Sequence, residues 1–364
     1  MATASATWRY RDRFGDRFGR TYFRRFGPGV VSSVGLGTYL GEPTDAVDER
    51  YERALVAGVE GGCNVVDTAV NYRCGRSERV VGRALNGAEV KREAVAVTTK
   101  GGFLPFDGEQ PGDPEAYVRE RFVESGPVDD DDIAAGRHCI APAAIEASLD
   151  RSLDALGVGT IDCYYVHNPE TQCRVRSRQA VYNQLEATFE RLEHRVDAGD
   201  IGGYGVATWD AFRVPPADDA YLSLSTVVER ARSAAETVGH ETSGFEAIQL
   251  PFNVVMADAF TTPTHEFEGG RRSALEVAHA LDIDVFASAS LAGGELAARN
   301  GIPSSVDAKL EGETPAQRAV NFARSAPGVT CALVGTSDPD HVAEDIAAGT
   351  FDPLGARAFD AVFG

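Results

Sequence analysis

Lysine is nearly absent from this chain. Three occur in 364 residues, Lys91, Lys100 and Lys309, and Lys plus Arg number 35 against 55 Asp plus Glu, for a formal net charge of −20. A nucleic-acid ligand is excluded by that balance, because phosphate contacts need a basic face. The acidic surface suits multimolar salt, where the screening length falls to about 3 Å and like charges cease to repel. A halophilic setting is therefore expected, and a lysine kept at a strand end gains weight. Also missing is any run of about 18 apolar residues, so no membrane span is expected. The first 26 residues are rich in Arg and aromatics but have no apolar core of a secretory signal, which makes the cytoplasm the expected compartment. The six cysteines (Cys63, Cys74, Cys139, Cys163, Cys173, Cys331) show no C-x-x-C and no paired ligand spacing. Reduced thiols are expected, without a disulfide or a structural zinc. His138, His194, His240, His265, His279 and His341 likewise fall without ligand spacing, so no metal site is expected. There is no internal repeat.

What the chain does contain is alternation. Eight short β-branched runs, near residues 34, 65, 95, 161, 203, 247, 284 and 330, are each followed by a helical pattern. Repeated βα units imply a parallel sheet, and eight of them fit a closed (β/α)8 TIM barrel better than an open sheet. Helices are expected over 44–60, over 77–85 capped by Ser77, over 142–156 closed by Gly157, over 181–198, around 222–238, over 273–281, over 314–325 with Pro315 in first position, and over 339–348. Residues 23–40 read as a hairpin or plug leading into the first strand. The expected organisation is an N-terminal extension at 1–22, the barrel over 23–350 and a C-terminal tail at 351–364. Residues 101–139 break the rhythm with Gly, Pro and the run Asp129 to Asp132. A loop of that length at a strand end is usually functional or mobile.

Barrels place their active sites at the C-terminal ends of the strands. Asp67 ends the run Val65-Val66, with Tyr72 in the loop beyond; Lys100 ends VAVTTK, and His167 ends IDCYYVH. A phenol with a pKa of about 10 is a poor proton donor at neutral pH unless a cation lowers that value. Lys100 would do so, Asp67 would orient the ammonium, and His167 would hydrogen-bond a substrate carbonyl. The set suits protonation of an oxygen while hydride arrives at carbon. Gly35-Leu-Gly37-Thr-Tyr-Leu-Gly41 imitates a dinucleotide fingerprint, but its spacing departs from G-x-G-x-x-G and Glu42-Pro43 intervene before the helix.

These residues resemble the aldo-keto reductase superfamily. The matching stretches are Gly35-Leu-Gly-Thr38, Asn64-Val-Val-Asp67-Thr-Ala, Asn71-Tyr72, Ser77-Glu78-Arg79-Val-Val-Gly82-Arg-Ala-Leu85, Thr99-Lys100-Gly101, Val166-His167 and Gly205-Val206-Ala207, in order over roughly residues 23–348. The resemblance implies Tyr72 as general acid, Asp67 and Lys100 as its tuning pair and His167 as carbonyl orienter. It also implies NADPH or NADH as hydride donor and a small carbonyl compound or alcohol as substrate. Cofactor contacts are implied at Gly37, Thr38, Thr208, Gln249, Ser288, Leu291, Gly335, Thr336, Ser337, His341, Glu344 and Asp345. Departures fall on that side. Ala207-Thr208 stand where the family usually has Ser-Asn, and Ser288 stands where an aromatic commonly stacks on nicotinamide. Around Gly335-Thr336-Ser337-Asp338 there is no Lys or Arg for a 2′-phosphate, His341 takes the place of an Arg, and Asp345 that of an Asn. The open N-terminus of the last helix is expected to receive phosphate through backbone N–H groups, and NADH or dual use stays open. Substrate choice is assigned to residues 103–139, 167–171 and 257–270. Three alternatives remain beside the reductase. A cofactor-binding sensor of the same fold would bind nucleotide without turnover, a Schiff-base aldolase would trap a carbonyl on Lys100 under borohydride, and a loop-built binding protein would take no cofactor.

Overall fold

In a computed structural model that describes residues 1–363, strands form where the β-branched runs lie. The eight barrel strands are β3 (Val34–Gly37), β4 (Val65–Asp67), β5 (Ala96–Gly101), β6 (Ile161–His167), β7 (Ile201–Ala207), β8 (Phe245–Pro251), β11 (Asp284–Ser288) and β12 (Val329–Gly335). All neighbours are parallel, and β12 pairs with β3 to close the ring. Two hairpins lie outside it, β1 (Phe23–Phe26) with β2 (Gly29–Ser32) and β9 (His265–Phe267) with β10 (Gly270–Arg272).

The helices between strands follow local chemistry. Thr44 caps Asp45–Glu60 by accepting from the Val47 N–H. Pro142–Leu156 stops at Gly157, whose φ of 63° only glycine adopts without strain. Thr314 and Gln317 form a capping box ahead of Pro315–Ser325. Ser77 behaves differently from expectation. The helix Arg76–Gly87 starts after Gly75, which is left-handed at φ 78°, so Ser77 lies inside the first turn. Its hydroxyl donates to the Thr38 carbonyl at 2.8 Å and ties this helix to the end of β3.

The first hairpin closes the floor of the barrel. Phe26 and Val31 join Val65, Ala96, Cys163 and Phe286 in the apolar interior, with the Phe26 and Phe286 rings 5.1 Å apart. Residues 1–22 carry the helix Ala4–Asp12 and bury Tyr10 and Tyr22 in the main core, while Phe359, from the helix Ala356–Asp360, is fully buried near the other end of the chain. Residues 101–139 build a small core of their own, in which Leu104, Phe106, Val118 and Val128 pack with Cys139. Among the described residues, no helix is long and apolar enough to cross a membrane.

Candidate active site

Four strand ends and the loops beyond them meet at one mouth. Asp67, at the end of β4, accepts from Lys100 Nζ at 2.6 Å through one oxygen. Its other oxygen accepts from Thr98 Oγ1 at 2.7 Å and from Gln249 Nε2 at 2.9 Å. Lys100 has no exposed surface and donates in addition to the Thr68 carbonyl at 2.8 Å. A buried ion pair is tolerable only when its remaining donors and acceptors are satisfied, as here. Burial opposes the ammonium, but Asp67 and then Tyr72 outweigh it and hold the Lys100 pKa above the usual range.

Lys100 Nζ stands 4.7 Å from the centroid of the Tyr72 ring. The phenol itself departs from the sequence expectation. Burial raises its pKa, and the downward pull of Lys100 does not fully compensate. Tyr72 therefore holds its proton throughout the neutral range. His167, at the end of β6, lies edge-on to Tyr72 with ring centroids 5.9 Å apart. Burial, reinforced by the Lys100 charge, keeps its imidazole far below the ordinary histidine range and so neutral.

A cavity of about 530 Å³ opens over this group. Asp67, Tyr72 and His167 line it, and so do Gly37, Thr38, Thr208, Gln249, Ser288, Leu291 and Gly335 among the expected cofactor contacts. Thr336, Ser337, His341, Glu344 and Asp345 stand outside that lining. Residues 257–270 also contribute nothing to it; His265 is instead buried, with Nδ1 accepting from the Leu224 N–H at 3.2 Å and Nε2 donating to the Phe212 carbonyl at 2.9 Å.

Two local arrangements bear on a nucleotide. Thr208 spends its only proton on Glu170 Oε1 at 3.0 Å and accepts from the Ala211 N–H at 2.8 Å, so it has no donor left for a carboxamide. At the start of the helix Pro339–Ala347, Asp338 accepts from the Asp340 N–H at 2.9 Å and Pro339 has no N–H. The Asp340 N–H at that N-terminus is therefore taken by the chain's own acid, which leaves fewer backbone donors for the phosphate expected from sequence. The rest of the groove is lined in part by bare backbone. Gly37 and Gly335 lie side by side at the ends of β3 and β12, presenting bare backbone, and a Cβ on Gly293 or Gly294 would meet no other group. Gln249 keeps its carboxamide oxygen free of protein hydrogen bonds beside Asp67.

Sequence reasoning passed over Trp209, and it reached Arg137 and Glu170 only as unnamed members of the segments 103–139 and 167–171. Arg137 and Trp209 line the cavity, and Trp209 is about half exposed there. Glu170 Oε1 gathers the Thr208 hydroxyl and the Trp209 and Asp210 N–H groups, at 2.8 to 3.0 Å. Trp209 carried a readable signal, being one of two tryptophans and two residues beyond a strand end. Arg137 carried none, since an Arg inside an aperiodic insertion reads as solvated.

Comparison with known proteins agrees in family and in fold. The model of the Aldo/keto reductase family matches residues 33–362. Among solved structures, an aldo-keto reductase from Bacillus halodurans in its holo form is 19% identical, with 94% of this chain and 95% of that one covered and a TM-score of 0.62. An aldo-keto reductase from Klebsiella pneumoniae in complex with NADPH is 21% identical, with 93% of each chain covered and a TM-score of 0.61. A glycerol dehydrogenase from Gluconobacter oxydans is 20% identical, with 95% of each chain covered and a TM-score of 0.63. At these identities the likeness is one of fold.

Proposed function

The chain belongs to the aldo/keto reductase family and is an NAD(P)-dependent oxidoreductase, and from that premise we propose that it reduces an aldehyde or ketone to the alcohol, or the reverse, with Tyr72 as the acid. The observation that carries this reading is the buried Lys100–Asp67 pair beneath a protonated phenol that faces the cavity beside a neutral imidazole. When bound, NADPH or NADH supplies the hydride. Gln249, with a free oxygen, and the bare backbone at Gly37 and Gly335 would hold the nucleotide.

The protein's own share is proton handling and orientation. Neutral His167 donates from Nε2 to the substrate oxygen, and Tyr72 passes its proton to that oxygen as negative charge builds on it. The alkoxide that forms needs a donor that stays protonated in the resting site, which burial of Tyr72 ensures. Lys100 then stabilises the phenolate left behind, and Asp67, fixed by Thr98 and Gln249, keeps the ammonium aimed. An imine mechanism has no support here. Lys100 Nζ is closed off from the cavity and committed to two acceptors.

Tyr72→Phe tests the assignment. Turnover is expected to fall by about 10²- to 10⁴-fold, the usual contribution of general acid catalysis, while fluorescence titration gives an unchanged nucleotide affinity. A variant that keeps its turnover removes Tyr72 from the reaction. Tight nucleotide binding by the wild type, with no turnover across a carbonyl panel, selects the sensor reading.

A further inference from the structure

Arg137 is the one cation on the cavity lining, in a protein of net charge −20. Its guanidinium has no carboxylate within ion-pair distance and makes no hydrogen bond among the described residues, whereas Arg73, Arg76, Arg92 and Arg176 all pair with acids. It rests instead on two aromatic faces, 4.8 Å from the Phe106 centroid and 5.8 Å from that of Phe103. Stacking of this kind orients a guanidinium while leaving its N–H fork open. Of the lining residues the only acid is Asp67, which Lys100 already neutralises. The cavity thus carries one uncompensated positive charge, partly desolvated, in a surface otherwise dominated by acids.

The backbone under Arg137 is fixed relative to the reacting groups. Its carbonyl accepts from the Leu104 N–H at 2.8 Å, and its N–H donates to the Ala134 carbonyl at 3.2 Å. The next residue, His138, is fully buried and donates from Nε2 to the His167 carbonyl at 2.8 Å. The Phe103 ring lies against both His138 and His167, at 4.8 and 5.2 Å. Arg137 therefore stands one phenyl ring away from the imidazole that faces the substrate oxygen.

We propose that Arg137 is an anion subsite, and that the substrate is a short carbonyl compound bearing a carboxylate a few carbons from the carbonyl. This deepens the carbonyl-reduction reading and rests on it. A planar guanidinium matches a carboxylate through two parallel N–H···O bonds, and a cavity whose only free charge is positive draws such an anion in against the repulsion of the acidic exterior. With 4-oxobutanoate, hydride adds to the aldehyde carbon and the Tyr72 proton goes to its oxygen, giving 4-hydroxybutanoate with the carboxylate unchanged. The NADPH or NADH named above is the reductant.

The test compares 4-oxobutanoate with butanal in wild type, Arg137→Met and Arg137→Lys, with butanoate binding measured by calorimetry on protein saturated with NAD⁺ or NADP⁺, whichever binds more tightly. In the wild type the ratio of kcat/KM for the carboxylate substrate to that for butanal is expected to exceed unity. It should drop by about thirtyfold or more in Arg137→Met, within the range seen when one partner of a desolvated charge pair is removed, and recover in part in Arg137→Lys. Butanoate binding should weaken in parallel in Arg137→Met. A wild type that prefers butanal, or a ratio unchanged by the substitution, overturns the subsite. If neither aldehyde turns over yet butanoate binding depends on Arg137, the subsite stands and the carbonyl-reduction reading falls. Binding that ignores the substitution in that case overturns both.

Discussion

His138 shows how a single side chain can serve a site without facing it. Gln172 donates from Nε2 to His138 Nδ1 at 3.0 Å, which leaves the His138 proton on Nε2, where it reaches the His167 carbonyl. The bond accepted at Nδ1 needs a neutral ring, and burial, against the pull of the His167 carbonyl, pushes its pKa down to about 4. The unfolded chain binds a proton at about 6.5, so this histidine contributes stability above that pH which is lost as pH falls through 4. The shift is equivalent to about 3 kcal/mol at pH 4. Chemical denaturation of His138→Gln is therefore expected to show a shallower loss between pH 6.5 and 4 than wild type; matching slopes would mean that the ring titrates normally. Asp67, Tyr72, Lys100 and His167 were legible as residues because each ends a strand or follows one. The phenol's raised pKa was not, since burial is a property of the assembled mouth.

The family resemblance puts the phosphate end of the nucleotide at the helix Pro339–Ala347, and we propose that its first turn governs nucleotide choice. Its dipole favours an anion at the N-terminus, yet Asp338 caps it and Asp340 sits in the first turn, while among residues 335–347 there is no Lys or Arg. Carboxylates in that position repel a 2′-phosphate. NADH is accordingly expected to bind more tightly than NADPH in fluorescence titrations, and Asp340→Arg to narrow or reverse the difference. A wild type that binds NADPH better, unmoved by the substitution, would place the phosphate elsewhere. Sequence periodicity located this helix but did not show how its first turn is used. Cap geometry depends on where Thr336 and Asp338 point, and the Thr336 hydroxyl accepting from the Asp338 N–H at 3.1 Å is a loop property. The insertion at 101–139 is the larger example. Its few apolar residues have no helical or strand period, because they pack across turns into a local core and not along one element.

Across the whole molecule, acids act on stability in two ways. The surface excess gives long-range repulsion, and a second group, Glu246 and Asp284 beside the buried Asp162, is partly buried at the N-terminal ends of the barrel strands. Burial, with help from Asp284 and Asp162, pushes Glu246 up to about 8; burial alone is the main cause for Asp284, raised to about 6. A carboxyl whose folded pKa lies above its unfolded value stabilises fully below the unfolded value and loses that contribution as pH rises through the folded one. Above the range in which His138 titrates, thermal unfolding is thus expected to show stability falling from about pH 6.5 to pH 9, and Glu246→Gln to flatten that fall. Several molar KCl screens the surface repulsion far more than the desolvation of Glu246 and Asp284, so a decline that salt abolishes would assign the effect to the surface alone. Charge, strand count and the order of chemistry-bearing strand ends could all be read from the linear chain, because composition and βα alternation are local quantities. Closure of the barrel between β12 and β3, the plug formed by Phe26 and Val31, the spent hydroxyl of Thr208 and the unpaired guanidinium of Arg137 could not. Each depends on which groups distant segments bring together, and a residue's partners are fixed only once the chain has packed.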